Sequence, residues 1–290
     1  MFNLNPKLIE EEYPLSTLTL IQMLEKAQAL NQSMLCVGLD PDPSKFPVSI
    51  QKEKNAIYEF CARIVDATHD LVIAFKPQVA YFAAHRAEDQ LERLIAHIKK
   101  VAPHIPVILD AKRGDIGATS EQYAKEAFDR YAADAVTLSP FMGFDSIEPY
   151  LKYEKKGVFL LCRTSNKGGD DFQNLRLADK PGHPTLYEHI AKLAQNNWNL
   201  NGQLGLVVGA TYPQEIANVR SLAPSLPLLI PGIGAQGGDA KSTVGAGKTA
   251  LGSVLINSSR AIIYASSGAD FQIEARNKAI ETKDLLNSVI

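Results

Sequence analysis

Ile105-Pro-Val-Ile-Leu-Asp110-Ala-Lys112-Arg-Gly-Asp115-Ile-Gly-Ala-Thr119 begins as an apolar, β-branched run and ends in charge. Its first five residues read as a buried strand. Side chains alternate along a strand, so Asp110 and Lys112, two apart, leave its end on the same side. Gly114 lets the chain turn, and Asp115 follows as a second carboxylate. One account is a salt-bridged strand end that caps the next helix, with Asp115 or Thr119 near its N-terminus. The other is a working site, because charges at the mouth of a parallel sheet are more often functional than structural.

The same unit recurs on both sides of this stretch. Upstream, Met34–Leu39 is a buried strand ending in Asp40 and the turn Pro41-Asp-Pro43, and Leu71–Phe75 is another, ending in Lys76-Pro77. Helical stripes lie between them, with Ile57, Phe60, Cys61, Ile64 and Val65 in one and Leu91, Leu94, Ile95, Ile98 and Val101 in the next. Downstream, strands are expected over 134–138, 157–162, 204–208, 227–230 and 250–256, with helices over 119–132, 145–153, 185–199 and 213–222. Eight strands, each followed by a helical segment, predict an α/β fold, a single-domain (β/α)8 or TIM barrel. An open doubly wound sheet is the alternative, but no G-x-G-x-x-G follows the first strand. An N-terminal helical extension over about residues 1–33 and a C-terminal helix over about 270–288 complete the domain. The helical pattern at 15–31 could close the bottom of the barrel. The loop from Arg163 to His183 has a length usually reserved for functional or mobile segments.

The bulk numbers narrow the function classes. A composition 46% hydrophobic and 21% charged suits a globular chain with ample core, and a net charge of -2 gives no support to a nucleic-acid or membrane-surface role. The apolar runs are too short to span a bilayer, and residues 1–14 lack a signal peptide's basic start and apolar centre. Cys36, Cys61 and Cys162 show no metal-ligand spacing. Buried thiols in a reducing compartment, the cytoplasm, are expected.

In a barrel the carboxyl ends of all eight strands face one mouth. That rule gathers Asp40, Lys76, Asp110, Lys112, the Thr164-Ser165 pair and the loops after the last two strands. Asp40 could simply stabilise its turn. Lys76, flanked by Phe75 and Val79, reads as a semi-buried charge that needs a partner such as Asp110 or Asp115. Pro231-Gly-Ile-Gly-Ala-Gln-Gly-Gly-Asp239 can present bare backbone N–H groups, and Asn257-Ser-Ser-Arg260 starts a helix with a cation. Loops in these two positions form the usual phosphate cup of the architecture, and the fork of Arg260 suits a dianion. The plainer reading is a tight turn and an N-cap.

At this point the chain resembles the orotidine 5′-phosphate decarboxylase family, in its longer bacterial form. The resemblance runs from Leu35-Cys-Val-Gly-Leu-Asp-Pro41 through Phe75-Lys-Pro77 to Asn257-Ser-Ser-Arg260. A D-x-K-x-x-D core is shared with other sugar-phosphate enzymes; the extended Asp110–Thr119 stretch, with Lys76 and the Pro-Gly-Ile-Gly-Ala-Gln loop, is specific. The resemblance implies decarboxylation of orotidine 5′-monophosphate to UMP and CO2. Lys112 would protonate C6 of the pyrimidine, Asp110 would lie against the substrate carboxylate, and Lys76, Asp110, Lys112 and Asp115 would form an alternating charged network. Asp40 and Lys76 would hold ribose hydroxyls, and Ser165 the pyrimidine edge. Gln236, Arg260 and the loop containing Pro231 and Gly234 would hold the 5′-phosphate. Asp115 and Thr119 would come from the neighbouring subunit of a homodimer with shared sites, and their i, i+4 spacing would place both on one helical face. No metal or organic cofactor is implied.

The chemistry supports that role for Lys112. Flanking carboxylates favour its ammonium form, which suits a proton donor to a developing carbanion and is wrong for an amine that must attack a carbonyl. Two rivals stand beside this reading. A metal-dependent sugar-phosphate decarboxylase or aldolase would carry an acidic metal ligand where this chain has Lys76, a cation that repels a divalent ion. A non-catalytic nucleotide-binding protein would be expected to lack Lys112 or Asp110.

Overall fold

The computed structural model describes residues 17–233 and 239–289. Eight parallel strands are present: β1 (Leu35–Leu39), β2 (Ala74–Pro77), β3 (Ile108–Arg113), β4 (Ala135–Leu138), β5 (Gly157–Arg163), β6 (Leu204–Val208), β7 (Leu228–Pro231) and β8 (Val254–Ser258). Neighbours run β2-β1-β8-β7-β6-β5-β4-β3. Parallel bridges Phe75↔Val107 and Gln78↔Asp110 join β2 to β3 and close the ring. The expected (β/α)8 barrel is the observed fold. β1, β2, β4 and β6 are buried along their whole length, which is why they read as continuous rather than alternating apolar runs.

The surrounding helices bury the expected stripes except at Val101, which is only half-buried. Ala56–Thr68 buries Ile57, Phe60, Cys61, Ile64 and Val65, and Glu88–Val101 buries Leu91, Leu94, Ile95 and Ile98. The latter opens with Glu88 and Asp89 and closes with Lys99 and Lys100, the charge order that complements the helix dipole. At the foot of the barrel, helix Leu20–Asn31 starts from a capping box between Thr19 and Gln22. The N–H of Leu20 donates to the Lys155 carbonyl just ahead of β5. The C-terminal helix, Phe271–Asn287, lays Phe271 against Phe60 at 5.5 Å. Phe60 also stacks on Phe46 at 4.3 Å and on Tyr264 at 5.7 Å.

Several boundaries differ from the sequence reading. β2 runs to Pro77 and β3 to Arg113, so Lys76, Asp110 and Lys112 lie within strands rather than after them. The helices expected over 119–132 and 185–199 are Gly117–Lys125 and Leu186–Leu193, each continued by one π turn. The stretch 145–153 forms only a 3-10 turn, Phe144–Ser146, and the short helix Glu148–Leu151. β8 starts at Val254 rather than at residue 250 because the chain ahead of it is shaped around a buried cation. The Arg220 guanidinium donates to the carbonyls of Gly247, Ala223, Leu226 and Ser253 at 2.6, 2.9, 2.6 and 3.1 Å. Burial without a carboxylate partner pushes Arg220 down to about 10.

All three cysteines are free and buried. Burial pushes the Cys36 thiol up to about 12 and raises the other two further. No helix among the described residues is long and apolar enough to cross a membrane.

Candidate active site

The site is built where β2 meets β3. Lys76 and Asp110 are both buried, and Lys76 Nζ lies 2.7 Å from Asp110 Oδ2. Lys112 Nζ takes the other oxygen, Oδ1, at 2.5 Å. One carboxylate therefore sits between two ammonium groups, one sealed in the barrel and one about half exposed at its mouth. Burial alone would raise the Asp110 carboxyl, but Lys76 and Lys112 hold it well below the usual carboxylate range. Burial would likewise lower Lys76, yet Asp110 and Asp40 outweigh it and leave Lys76 raised. Both groups are thus charged across the neutral range.

Lys112 reaches this position through an irregular backbone. β3 pairs with β4 as Ile108↔Ala135 and Leu109↔Val136, then resumes only at Arg113↔Leu138. Residues 110–112 are set against Thr137 alone, and Lys112 has a φ of +46°, in the left-handed region. Asp110 and Lys112 do face one site, but a bulge brings them there rather than plain alternation.

Two cavities adjoin at the mouth and share Lys76, Asp110, Ser165 and Pro231 as walls. The first, of about 380 Å³, extends to Asp40, Asn257 and Arg260. The second, of about 520 Å³, is lined by Lys112 and Thr137, by apolar Leu161, Val207 and Leu229, and by Gln173. A ligand can therefore place an anionic tail at Arg260 and a flat ring over the apolar wall, with its junction against Lys76 and Asp110. Asp40 Oδ1 and Asn257 Oδ1 are buried acceptors with no donor among the described residues. Such groups are costly unless a ligand or water supplies the missing proton.

Gly38 of β1 explains how Asn257 comes so close. A Cβ there would lie 1.8 Å from Ser259 Oγ and 3.1 Å from Asn257 Oδ1. The turn after β1 is tied down from the other side, where Tyr264 Oη donates to the Asp40 carbonyl at 2.8 Å and accepts from the Asp42 N–H at 2.6 Å.

The long loop after β5 is anchored by Arg163, which is buried and donates to Glu215 Oε2 at 2.8 Å and Asp170 Oδ1 at 2.6 Å. Gln173 Oε1 in turn accepts from the Thr164 N–H at 2.8 Å. These bonds fold the loop back so that Gln173 and Asn166 become part of the second cavity's wall.

Of the residues named from sequence, Asp40, Lys76, Asp110, Lys112, Ser165, Pro231 and Arg260 line these adjoining cavities. Gly234 and Gln236 lie outside the described residues. Asp115 and Thr119 line neither cavity of their own chain. Ile116 is extended, Gly117 has a φ of +54°, and Asp115 Oδ1 accepts from the Ile116 N–H. The following helix starts at Gly117, so Asp115 precedes it and does not share a helical face with Thr119. Within one chain the charged network therefore has three members. Thr137, Asn257 and Gln173 were not assigned roles from sequence. Asn257 stood inside the quoted Asn257–Arg260 stretch, whereas Thr137 and Gln173 carried no signal. Among the described residues, no group of three or more His, Cys, Asp and Glu side chains is placed to hold a metal ion.

Residues 33–270 match the model of the orotidine 5′-phosphate decarboxylase / HUMPS family. The chain is 69% identical over 271 residues to the orotidine 5′-phosphate decarboxylase of Polaromonas naphthalenivorans, covering 93% of this chain and 96% of that one. It is 69% identical over 269 residues to the enzyme of Delftia acidovorans, covering 93% and 98%. Among solved structures, the OMP decarboxylase of Leishmania donovani superposes with a TM-score of 0.77 at 39% identity, over 93% of this chain and 99% of that one. The Leishmania donovani UMP synthase superposes with a TM-score of 0.82 at 40% identity, but this chain spans only 56% of its length. With near full-length likeness in sequence and a barrel of the same form, the chain belongs to the orotidine 5′-phosphate decarboxylase / HUMPS family.

Proposed function

We propose that Lys112 is the proton donor, and Asp110 its charged partner, in the decarboxylation of orotidine 5′-monophosphate to UMP and CO2. That overall reaction is the one for which the chain's near full-length relatives are named. The observation that carries the residue assignment is the Lys76–Asp110–Lys112 charge sequence, continuous with a cavity that ends at Arg260. In the reaction the bond from C6 to the carboxylate breaks, its electron pair stays on C6, and CO2 leaves. The Lys112 ammonium then gives its proton to C6. The ring offers that pair no electron sink, so fixed charge must stabilise it, and two cations already in place around one carboxylate supply it without reorganisation. Asp40 and Asn257, the unpartnered acceptors, suit ribose hydroxyls, and Ser165 suits the pyrimidine edge. The reading uses no metal or organic cofactor.

We assign the 5′-phosphate to Arg260, with Gln236, Gly234 and the loop after β7. Grip on a group remote from the breaking bond supplies binding energy that the chemical step can use. Arg260→Ala is expected to raise KM by about tenfold to a hundredfold, the loss of a charge-assisted hydrogen bond, with a smaller effect on kcat. Steady-state kinetics check this, and an unchanged KM contradicts the placement.

Asp115 and Thr119, which miss the mouth of their own chain, are assigned to the site of a second copy, so the working unit is a homodimer. Lys112→Ala and Asp115→Ala subunits should each be nearly inactive, yet random mixing should restore about a quarter of the sites. No recovery from demonstrated mixed dimers removes the shared site. The cytoplasm is the proposed compartment, where free buried cysteines stay reduced. The activity itself is tested by incubating the protein with orotidine 5′-monophosphate and following ultraviolet absorbance. Loss of the orotate band with release of CO2 is expected; binding without spectral change means no enzyme.

A further inference from the structure

We infer that Thr137 is a positioning residue for Lys112: its single hydroxyl builds the bulge that aims the lysine at the substrate. Thr137 is buried in β4, opposite the three residues of β3 that fall out of register. In a regular parallel ladder the N–H groups of residues in that stretch would bond to carbonyls of β4. Here those of Ala111 and Lys112 both donate to Thr137 Oγ1, at 3.1 and 3.0 Å. The hydroxyl's own proton goes to Asp110 Oδ1 at 2.9 Å. A threonine hydroxyl has one donor and two acceptor sites, so every one is used. The same Asp110 oxygen holds Lys112 Nζ. One oxygen atom thus fixes both the backbone and, through Asp110, the ammonium of Lys112.

That arrangement accounts for the left-handed backbone of Lys112. A side chain with a Cβ disfavours that region and persists there only when its surroundings over-determine it. Two backbone bonds to a side chain on the neighbouring strand provide the constraint, and the Ser139 N–H donating to the Arg113 carbonyl at 2.7 Å returns the pair to register. Without the hydroxyl, two N–H groups lose their acceptor and Asp110 loses a donor. The bulge then has no reason to hold its form, and the ammonium drifts from its reacting position. Misplacement of a reacting group by about 1 Å can cost about a hundredfold in rate.

The inference rests on the decarboxylase reading, and wild-type turnover of orotidine 5′-monophosphate is the control that tests that reading by itself. Thr137→Val keeps the shape and removes the hydroxyl. It is expected to lower kcat by about tenfold to a hundredfold while the affinity for UMP stays within about twofold. Thr137→Ser keeps all three bonds and is expected to recover most of the rate. A folded Thr137→Val enzyme with wild-type kcat, or a serine variant as slow as the valine one, overturns the inference. Amide hydrogen exchange on the wild-type protein needs no variant. Slow exchange at Ala111 and Lys112 is expected, and exchange at both as fast as in an open loop overturns the inference even if Thr137→Val does not fold.

Discussion

Lys112→Ala is expected to abolish nearly all turnover, a fall in kcat of about 1,000-fold or more, while UMP still binds. The size follows from two losses at once. The proton donor disappears, which in general acid catalysis costs about a hundredfold to ten-thousandfold. One of the two cations flanking Asp110 disappears with it, and pre-placed charge is what must stabilise an electron pair on C6. Binding survives because the phosphate, ribose and ring contacts proposed here lie on other residues. The side chain is about half exposed, so its removal leaves no buried void. The measurements are kcat from the absorbance assay and UMP affinity by calorimetry. Substantial residual kcat removes Lys112 as the donor.

Asp110→Asn is expected to lose both activity and stability. Removing one partner of a buried ion pair typically costs about 3–5 kcal/mol, because the other charge is left behind uncompensated. Here that charge is the Lys76 ammonium, and the new amide would place an N–H₂ donor where one of two cations needs an acceptor. The pH dependence has a definite sign. Asp110 titrates below its unfolded value, so its contribution is present at neutral pH and is lost only as pH falls through the depressed folded value. Lys76 titrates above its unfolded value, so its contribution is present at neutral pH and fades only as pH rises through the raised folded value. The wild-type protein should therefore show a flat stability plateau across neutral pH from this pair. Denaturant midpoints measured across pH check both statements, and an Asp110→Asn midpoint equal to wild type contradicts the first.

The barrel was legible because buried parallel strands leave an unmistakable mark, short apolar runs that each end in a polar residue facing the same way. Asp40, Lys76 and Asp110 were found by that mark. Lys112 was found too, but for an incomplete reason, since alternation does not foresee a bulge or a left-handed lysine. Thr137 was invisible because Ala135-Val-Thr-Leu138 reads as an ordinary β-branched strand, in which the shape of threonine alone accounts for its presence. Gln173 was hidden in a loop whose path depends on Arg163, a long-range anchor that no local pattern predicts. The face shared by Asp115 and Thr119 was misjudged because i, i+4 spacing makes neighbours only inside a helix, and Asp115 precedes the helix that starts at Gly117.

The ring closes between β2 and β3 on two isolated bridges, one of them made by the backbone of Asp110 itself. Its carboxylate meets Lys76 across that same joint. The seam of the cylinder and the proposed charge pair are thus one object. A chain that zips this edge last sets that pair only as it becomes whole, and a lesion that parts the edge separates Lys76 from Asp110 with it.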